Sequence, residues 1–358
     1  MLSQTQKSNL QKLRKKSNSP QDRRFTESHV RYLIAVTARD LGIDLKTLSD
    51  VGEVPEIYDL KVGDDFEFAT SCALADAYEE IINANRDAES YLACLGKILR
   101  SRLKMERVME AQPLATMNQV GPRAILQYGV MGNKNLASYL VWRKYMFDVD
   151  NRAAQDNGYL YEAIIASAIG GISCSAKTSP IRRSSGQGGR QIDALVDEDR
   201  AYEIKIRITI AASGQGRWGE ELSFPRECRE NGFTPVLIVL DPTENYKLTE
   251  IQQAYLDNGG ETYIGDAAWQ HLEDLAGDSM SLLLEKYVKK PFSEMVNAEE
   301  ARTHLEDLTL SQKPGEIIVT VGDESLVVPR SEDYDLADES EGEVPDDVDD
   351  LMPGTSTV

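Results

Sequence analysis

Between Thr26 and Phe147 apolar residues recur three and four positions apart, the spacing that lines one face of a helix. Thr26-Glu27-Ser28 opens a segment that runs to Leu41 and stops at Gly42; Phe66–Ala84 and Asp87–Ala111 follow, with Pro113 ending the second. Pro122 starts a further helix, broken near Gly129 and Gly132, and Leu136–Phe147 resumes it with a stripe of Tyr139, Leu140, Trp142, Tyr145 and Met146, expected to pack in the core. One more helical pattern, Leu160–Ile169, is stopped by Gly170-Gly171. The period then changes. Gln191-Ile192-Asp193 and Tyr202-Glu203-Ile204-Lys205 read as strands joined by the polar turn Asp197-Glu198-Asp199-Arg200. Thr234–Leu240 is an unbroken apolar run, suited to a strand covered on both faces. Thr249–Leu256 and Ala267–Lys290 predict helices, with Gly260–Ile264 as a short strand between them. Glu316–Val321 and Ser325–Val328 flank Gly322-Asp323-Glu324 and predict a hairpin. There is no internal repeat.

Together these elements predict a mixed α/β (α+β) chain: a helical lobe over residues 26–148, an α/β core over 149–292 and an extension with a hairpin over 293–330. Charge refines this picture. The formal net charge of −21 argues against nonspecific, purely electrostatic binding to a polyanion, but it is unevenly spread. Residues 331–358 hold eleven acids and no Lys or Arg, the composition of a disordered tail. Residues 1–25 hold Lys7, Lys12, Arg14, Lys15, Lys16, Arg23 and Arg24 against Asp22, a basic arm that either contacts phosphates or frays in solvent. Cys72, Cys94, Cys174 and Cys228, with His29, His271 and His304, are too scattered for a zinc site. No apolar stretch reaches membrane-spanning length and no signal peptide is evident, so the expectation is a cytoplasmic protein.

The candidate chemistry lies in the two short strands. Side chains alternate across a strand, so Glu203 and Lys205 share a face while Ile204 points into the core. Pairing the strands brings Asp193 close to both. Two carboxylates and an ammonium on one sheet face are costly unless a hard cation joins them. With Mg²⁺ bound, such a trio can cleave phosphodiesters, the lysine orienting or activating water. The plainer readings are an exposed cross-strand ion pair for Glu203 and Lys205, a strand-end turn residue for Asp193, and a surface glutamate for Glu162.

An acid, a gap, then (D/E)-x-K resembles the PD-(D/E)XK nuclease superfamily, with Asp193, Glu203 and Lys205 at the signature positions and Ile192 where the name has proline. Helix, hairpin, helix and buried strand is also that superfamily's order. The resemblance implies a restriction-endonuclease-like core, catalytic roles for Asp193, Glu203, Lys205 and Glu162, and a metal held by Asp193, Glu203 and Ile204.

Two segments suggest nucleic-acid contact. Ser184–Arg190 is glycine-rich and leads into the Asp193 strand, but lacks the ending of a nucleotide-binding loop; with Arg182, Arg183 and Arg190 it could meet a DNA backbone or be a plain linker. Ser213–Glu221 reads as a second loop, offering Gln215, Arg217 and Trp218 for base or backbone contact, though Trp218 is equally suited to packing. Phe224 then begins a helix from which Arg226 and Arg229 could reach phosphates; in the helical lobe Arg123, Gln127, Lys134 and Arg143 are further candidates. The large helical lobe and the absence of an ATPase motif make the chain similar to type II restriction endonucleases. Gly121–Gly129 and Gly214–Glu221 resemble the ApaLI-like group. That resemblance implies Mg²⁺-dependent cleavage of double-stranded DNA by a homodimer at a short palindrome, without a nucleotide cofactor. The rival readings are a repair or junction-resolving nuclease of the same fold, and a DNA-binding protein that no longer cleaves.

Overall fold

The computed structural model describes residues 2–15, 24–48, 54–60, 72–124, 131–184, 186, 188–208, 215–297 and 307–330. Gln127 and the acidic tail lie outside them, as does most of the segment expected to open the helix at Phe66. The chain begins with α1 (Gln4–Arg14), α2 (Glu27–Asp40), α3 (Leu74–Ala84), α4 (Ala88–Ala111) and α5 (Met117–Ala124). Ser3 and Thr26 cap α1 and α2 with reciprocal side-chain bonds to the third helical residue, which satisfies amide groups that would otherwise be orphaned. The basic arm is therefore not a free strand of charge. α1 lays Leu10 and Leu13 on the core, and the Arg100 guanidinium donates to the Leu13 carbonyl (2.9 Å) while covering the Phe25 ring.

The largest departure from expectation is α6, a single helix from Asn133 to Ala168. The two helical patterns read on either side of a polar stretch are one element, and the division expected between residues 148 and 149 falls inside it. Its aromatic stripe is split: Leu140 and Tyr145 are buried, while Tyr139, Met146 and Phe147 face solvent. The glycine pair does end it. Gly170 has φ of 72°, a conformation that favours glycine, and the Gly171 amide returns to the Ala166 carbonyl at 2.8 Å. A side chain at Gly171 would meet the Ala194 methyl at 2.7 Å, so the helix end sits hard against the sheet.

That sheet has five strands, β1 (Ile172–Cys174), β2 (Ile192–Val196), β3 (Arg200–Lys205), β4 (Thr234–Val239) and β5 (Glu261–Ile264), in sequence order. β1, β2 and β3 pair antiparallel, whereas β3, β4 and β5 are parallel. Parallel neighbours require crossovers, supplied by α7 (Gln215–Glu230) and α8 (Tyr246–Asp257). The β2–β3 turn is made by Asp197 and Glu198, both at positive φ, and Val196 stands opposite Arg200. Burial on both faces of β4 follows from the two cores. Val236 and Ile238 pack with α2, α4, α6 and α9 (Asp266–Leu284), while Leu237 and Val239 pack with Phe224 and Cys228 of α7 and Tyr255 of α8. The helical lobe and one face of the sheet thus share one hydrophobic core, giving a mixed α/β fold like that of restriction endonucleases.

After α10 (Lys290–Asn297) the expected hairpin is a three-stranded antiparallel sheet, β6 (Leu308–Lys313), β7 (Glu316–Val321) and β8 (Glu324–Pro329). It docks through Ile317 and Val328 against Tyr145 of α6, and Arg330 donates to the Met109 and Gln112 carbonyls at the end of α4. No helix among the described residues is long and apolar enough to cross a membrane.

One buried acid ties the two ends of the fold together. Asp40, with its side chain 1% exposed, accepts from Lys286 (2.6 Å), Arg39 (3.1 Å), Tyr91 (3.0 Å) and Tyr287. Replacing it by alanine leaves the Tyr91 and Tyr287 hydroxyls without their acceptor and Lys286 with Glu56 alone (3.2 Å). Asp40→Ala should lower unfolding free energy by about 2–4 kcal/mol, read as a lower urea midpoint at unchanged slope.

Candidate active site

β2 and β3 part at the end of their ladder. The last paired residues are Ala194 and Tyr202, and beyond them the Asp193 carboxylate accepts the Ile204 amide at 2.8 Å. A side chain has taken the place of the backbone acceptor, which opens a gap between the strands while keeping Asp193 fixed. Ser173 of β1 holds the other side, donating to the Asp193 carbonyl at 2.8 Å. On β3, Glu203 and Lys205 share a face as alternation requires, with Lys205 Nζ 2.6 Å from Glu203 Oε1. Ile204 between them is core, 1% exposed. Its N–H and C=O leave the strand on the same edge, so its carbonyl faces the gap that Asp193 borders.

Glu162 lies in the last turns of α6, and its charge acts on Asp193. Burial, then Glu203, then Glu162, push the Asp193 carboxyl well above the ordinary aspartate range. Burial works to discharge Lys205, but the carboxylates of Glu203, Asp193 and Glu221 outweigh it and hold the ammonium above the usual lysine range. In the absence of metal the lysine is therefore held as a cation.

The donors around the gap are hard oxygens: the carboxylates of Asp193 and Glu203 and the carbonyl of Ile204. That chemistry fits a divalent cation such as Mg²⁺. Among the described residues no three acidic, histidine or cysteine side chains form a preassembled cluster. Glu203 is committed to Lys205 instead, so a cation would have to displace the ammonium from it.

The other residues read from the sequence are placed differently from expectation. Arg190 is a buried structural residue, not a phosphate contact. Its guanidinium pairs with Glu227 and donates to the Glu220 carbonyl and to Ser223 (2.6 Å), stapling α7 beside β2. Arg183 is tied to the Gly189 carbonyl (3.2 Å) and to Glu220 (3.1 Å). Among the described residues of the glycine-rich segment, the amides are turned inward rather than presented to a phosphate. The amides of Arg183, Ser184, Gly186, Gly189 and Arg190 all donate within the protein. Arg182 is exposed beside it. The expected loop over Ser213–Glu221 is, from Gln215 onward, the start of α7, so the helix begins well before Phe224. Arg217 lies in its first turn with Gln215; Trp218 packs inward, donating to Glu250 (3.0 Å) beneath the Lys247 ammonium. Arg226 pairs with Glu230 (3.7 Å), and Arg229, at the far end of the helix, donates to the Asp257 carbonyl (3.4 Å). Lys134 and Arg143 are exposed on α6, and Arg123 falls in α5. Missing from the sequence reading is Glu221, whose Oε1 stands 4.0 Å from Lys205 Nζ.

The sequence profile of the ApaLI-like restriction endonuclease family matches residues 49–289. A curated relative, the type II restriction enzyme ApaLI of Acetobacter pasteurianus, is 44% identical over 285 residues, or 76% of each chain. No solved structure matches.

The charge crowding makes a prediction in the absence of metal. A carboxyl whose folded pKa lies above its unfolded value favours the folded state when protonated. Its contribution is therefore full below about 3.9 and lost as pH climbs through the raised value. Asparagine keeps the acceptor for the Ile204 amide and removes the charge. In chelator at neutral pH, Asp193→Asn should melt a few degrees above the wild type, and the gap should close as the pH is lowered toward 4. A lower melting temperature at every pH would contradict the crowding.

Proposed function

The chain belongs to the ApaLI-like restriction endonuclease family and is a type II site-specific deoxyribonuclease; from that premise we propose that Asp193, Glu203, Lys205 and Glu162 form its cleavage site. The observation that carries the reading is the Asp193 carboxylate seated on the Ile204 amide, beside the Glu203–Lys205 pair on the next strand. Type II enzymes act with a divalent metal; here that metal is Mg²⁺, held by Asp193, Glu203 and the Ile204 carbonyl. When bound it lowers the pKa of coordinated water and withdraws charge from the scissile phosphate.

The protein's own residues do the rest. Asp193 and Glu203 fix the attack position because one is bonded to the backbone and the other stands on a buried strand. Lys205, kept cationic by its neighbours, places an N–H donor at the phosphate oxygens and stabilises the negative charge that builds as water attacks. Glu162 adds an acceptor at the edge of the site, oriented by a helix whose end is packed on the sheet. The substrate is double-stranded DNA, and a homodimer would cut a short palindrome because two-fold protein symmetry matches two-fold site symmetry. Sequence discrimination is assigned to the α7 N-terminus, where Gln215 and Arg217 stand beyond the strand that bears Lys205; Arg182 is left as a backbone contact. Arg226 and Arg229, about 8–12 Å farther along the same helix than Glu221, would reach only flanking phosphates.

Plasmid digestion with run-off sequencing tests the reading. Discrete fragments in Mg²⁺, none in excess chelator, and binding without cutting in Ca²⁺ are expected. Asp193→Ala and Lys205→Ala should still shift the specific duplex on a gel but cleave it at least ~100-fold more slowly. Near-normal cutting by either variant would overturn the assignment.

Arg217→Ala addresses recognition. A base-edge contact predicts a loss of roughly 1–3 kcal/mol for the specific site, with nonspecific affinity nearly unchanged. Equal weakening on every sequence, measured by competition titration, would make Arg217 a phosphate contact.

A further inference from the structure

Lys205 has two carboxylates within ion-pair distance, and they stand on different elements. Nζ stands 2.6 Å from Glu203 Oε1 on its own strand and 4.0 Å from Glu221 Oε1 on α7. Glu221 is an inward residue of that helix: its side chain is 23% exposed, against 55% for Glu220 beside it. Its approach is fixed by the staple already described, since Arg190 holds the Glu220 carbonyl, Ser223 and Glu227 and so pins α7 one residue from Glu221.

We propose that Glu221 is a positioning residue of the cleavage site, the second seat of the Lys205 ammonium. This rests on the metal site proposed above. Glu203 cannot serve Lys205 at 2.6 Å and also give its oxygens fully to a divalent cation. A cation at Asp193 and Glu203 repels an ammonium in contact with one of its ligands. The carboxylate that receives the displaced ammonium is Glu221, and closing from 4.0 Å to an ordinary charge-assisted bond takes a shift of roughly 1.2 Å. The four-carbon stem of lysine accommodates that shift without backbone movement. Glu221 thus makes Glu203 available and keeps the ammonium beside the site rather than lost to solvent.

The test is Mn²⁺ binding to the DNA-free full chain, measured by titration calorimetry, with circular dichroism and melting in chelator as checks on folding. Glu221→Gln should weaken Mn²⁺ about tenfold while melting within a few degrees of the wild type. Glu221→Asp retains the charge but loses the reach of one methylene, and should weaken binding nearly as much. In a Lys205→Met background, where no ammonium needs a seat, Glu221→Gln should change Mn²⁺ affinity less than threefold. Wild-type affinity in Glu221→Asp would reduce Glu221 to a distant charge. A tenfold loss that persists in Lys205→Met would make it a metal ligand, and either result overturns the proposal. Glu203→Gln serves as the control. If wild type and Glu203→Gln bind Mn²⁺ equally, the metal site itself has failed; if only the Glu221 variants behave as wild type, the second seat alone has failed.

Discussion

Like charges in a poorly solvated place repel, and this molecule holds several of them around Asp193 and Lys205. Asp193, Glu203 and Glu162 come from three different elements, and a fourth acid, Glu221, stands across from the ammonium. Left to themselves such groups would swing into water. They do not because each is attached to something held in place: Asp193 to the Ile204 amide, Glu203 to a strand buried between two helical layers, Glu162 to a helix followed by a glycine that leaves no room for a side chain against Ala194. The repulsion is the useful property, since it creates a demand for positive charge at one spot. The surrounding structure supplies the rigidity that keeps this demand unsatisfied by rearrangement.

Much of the protein can be understood as that rigid support. The parallel β3–β4–β5 segment needs crossovers, and the first of them, α7, returns over the site-bearing face. Arg190 couples this helix to the strand entering the site, while Asp40 couples α2 to the helical segment carrying Lys286 and Tyr287. Both are buried charged groups with several partners. Both join segments far apart in sequence, which is how buried polar networks make one packing preferable to its alternatives.

The signature residues were legible because their relation is local. Asp193, Glu203 and Lys205 lie on adjacent strands joined by a short turn, so alternation alone brings them together. Glu162 was read only from the helix that the resemblance places before the hairpin, and its electrostatic effect on Asp193 depends on a core that periodicity does not reveal. What failed is instructive for the same reason. Gly216 and Gly219 made the start of α7 look like a loop, since each glycine costs a helix about 1 kcal/mol. Burial of Phe224 and Cys228 and the Arg190 staple outweigh that cost. Arg190 itself could not be told from a phosphate contact, because its partners Ser223 and Glu227 lie thirty and more positions away. The boundary read between residues 148 and 149 fell where apolar residues thin out, yet the helix runs through. β1, only three residues long, is too short to display a period.

The continuity of α6 has a consequence for how such a chain can change. Tyr145 is seated on β7 and β8, and Glu162 bears electrostatically on Asp193, on one uninterrupted run of helix about 25 Å long between them. Adding or deleting one residue anywhere in that run would turn the carboxylate about 100° around the axis relative to the seated tyrosine. The Pro314-Gly315 turn can lengthen at little cost, as surface loops do. Between Tyr145 and Glu162 the chain keeps a count. Substitutions can accumulate there freely on the solvent side, but insertions and deletions cannot, and a gap in that interval would mark a relative that has given up Glu162 or found another acid to replace it.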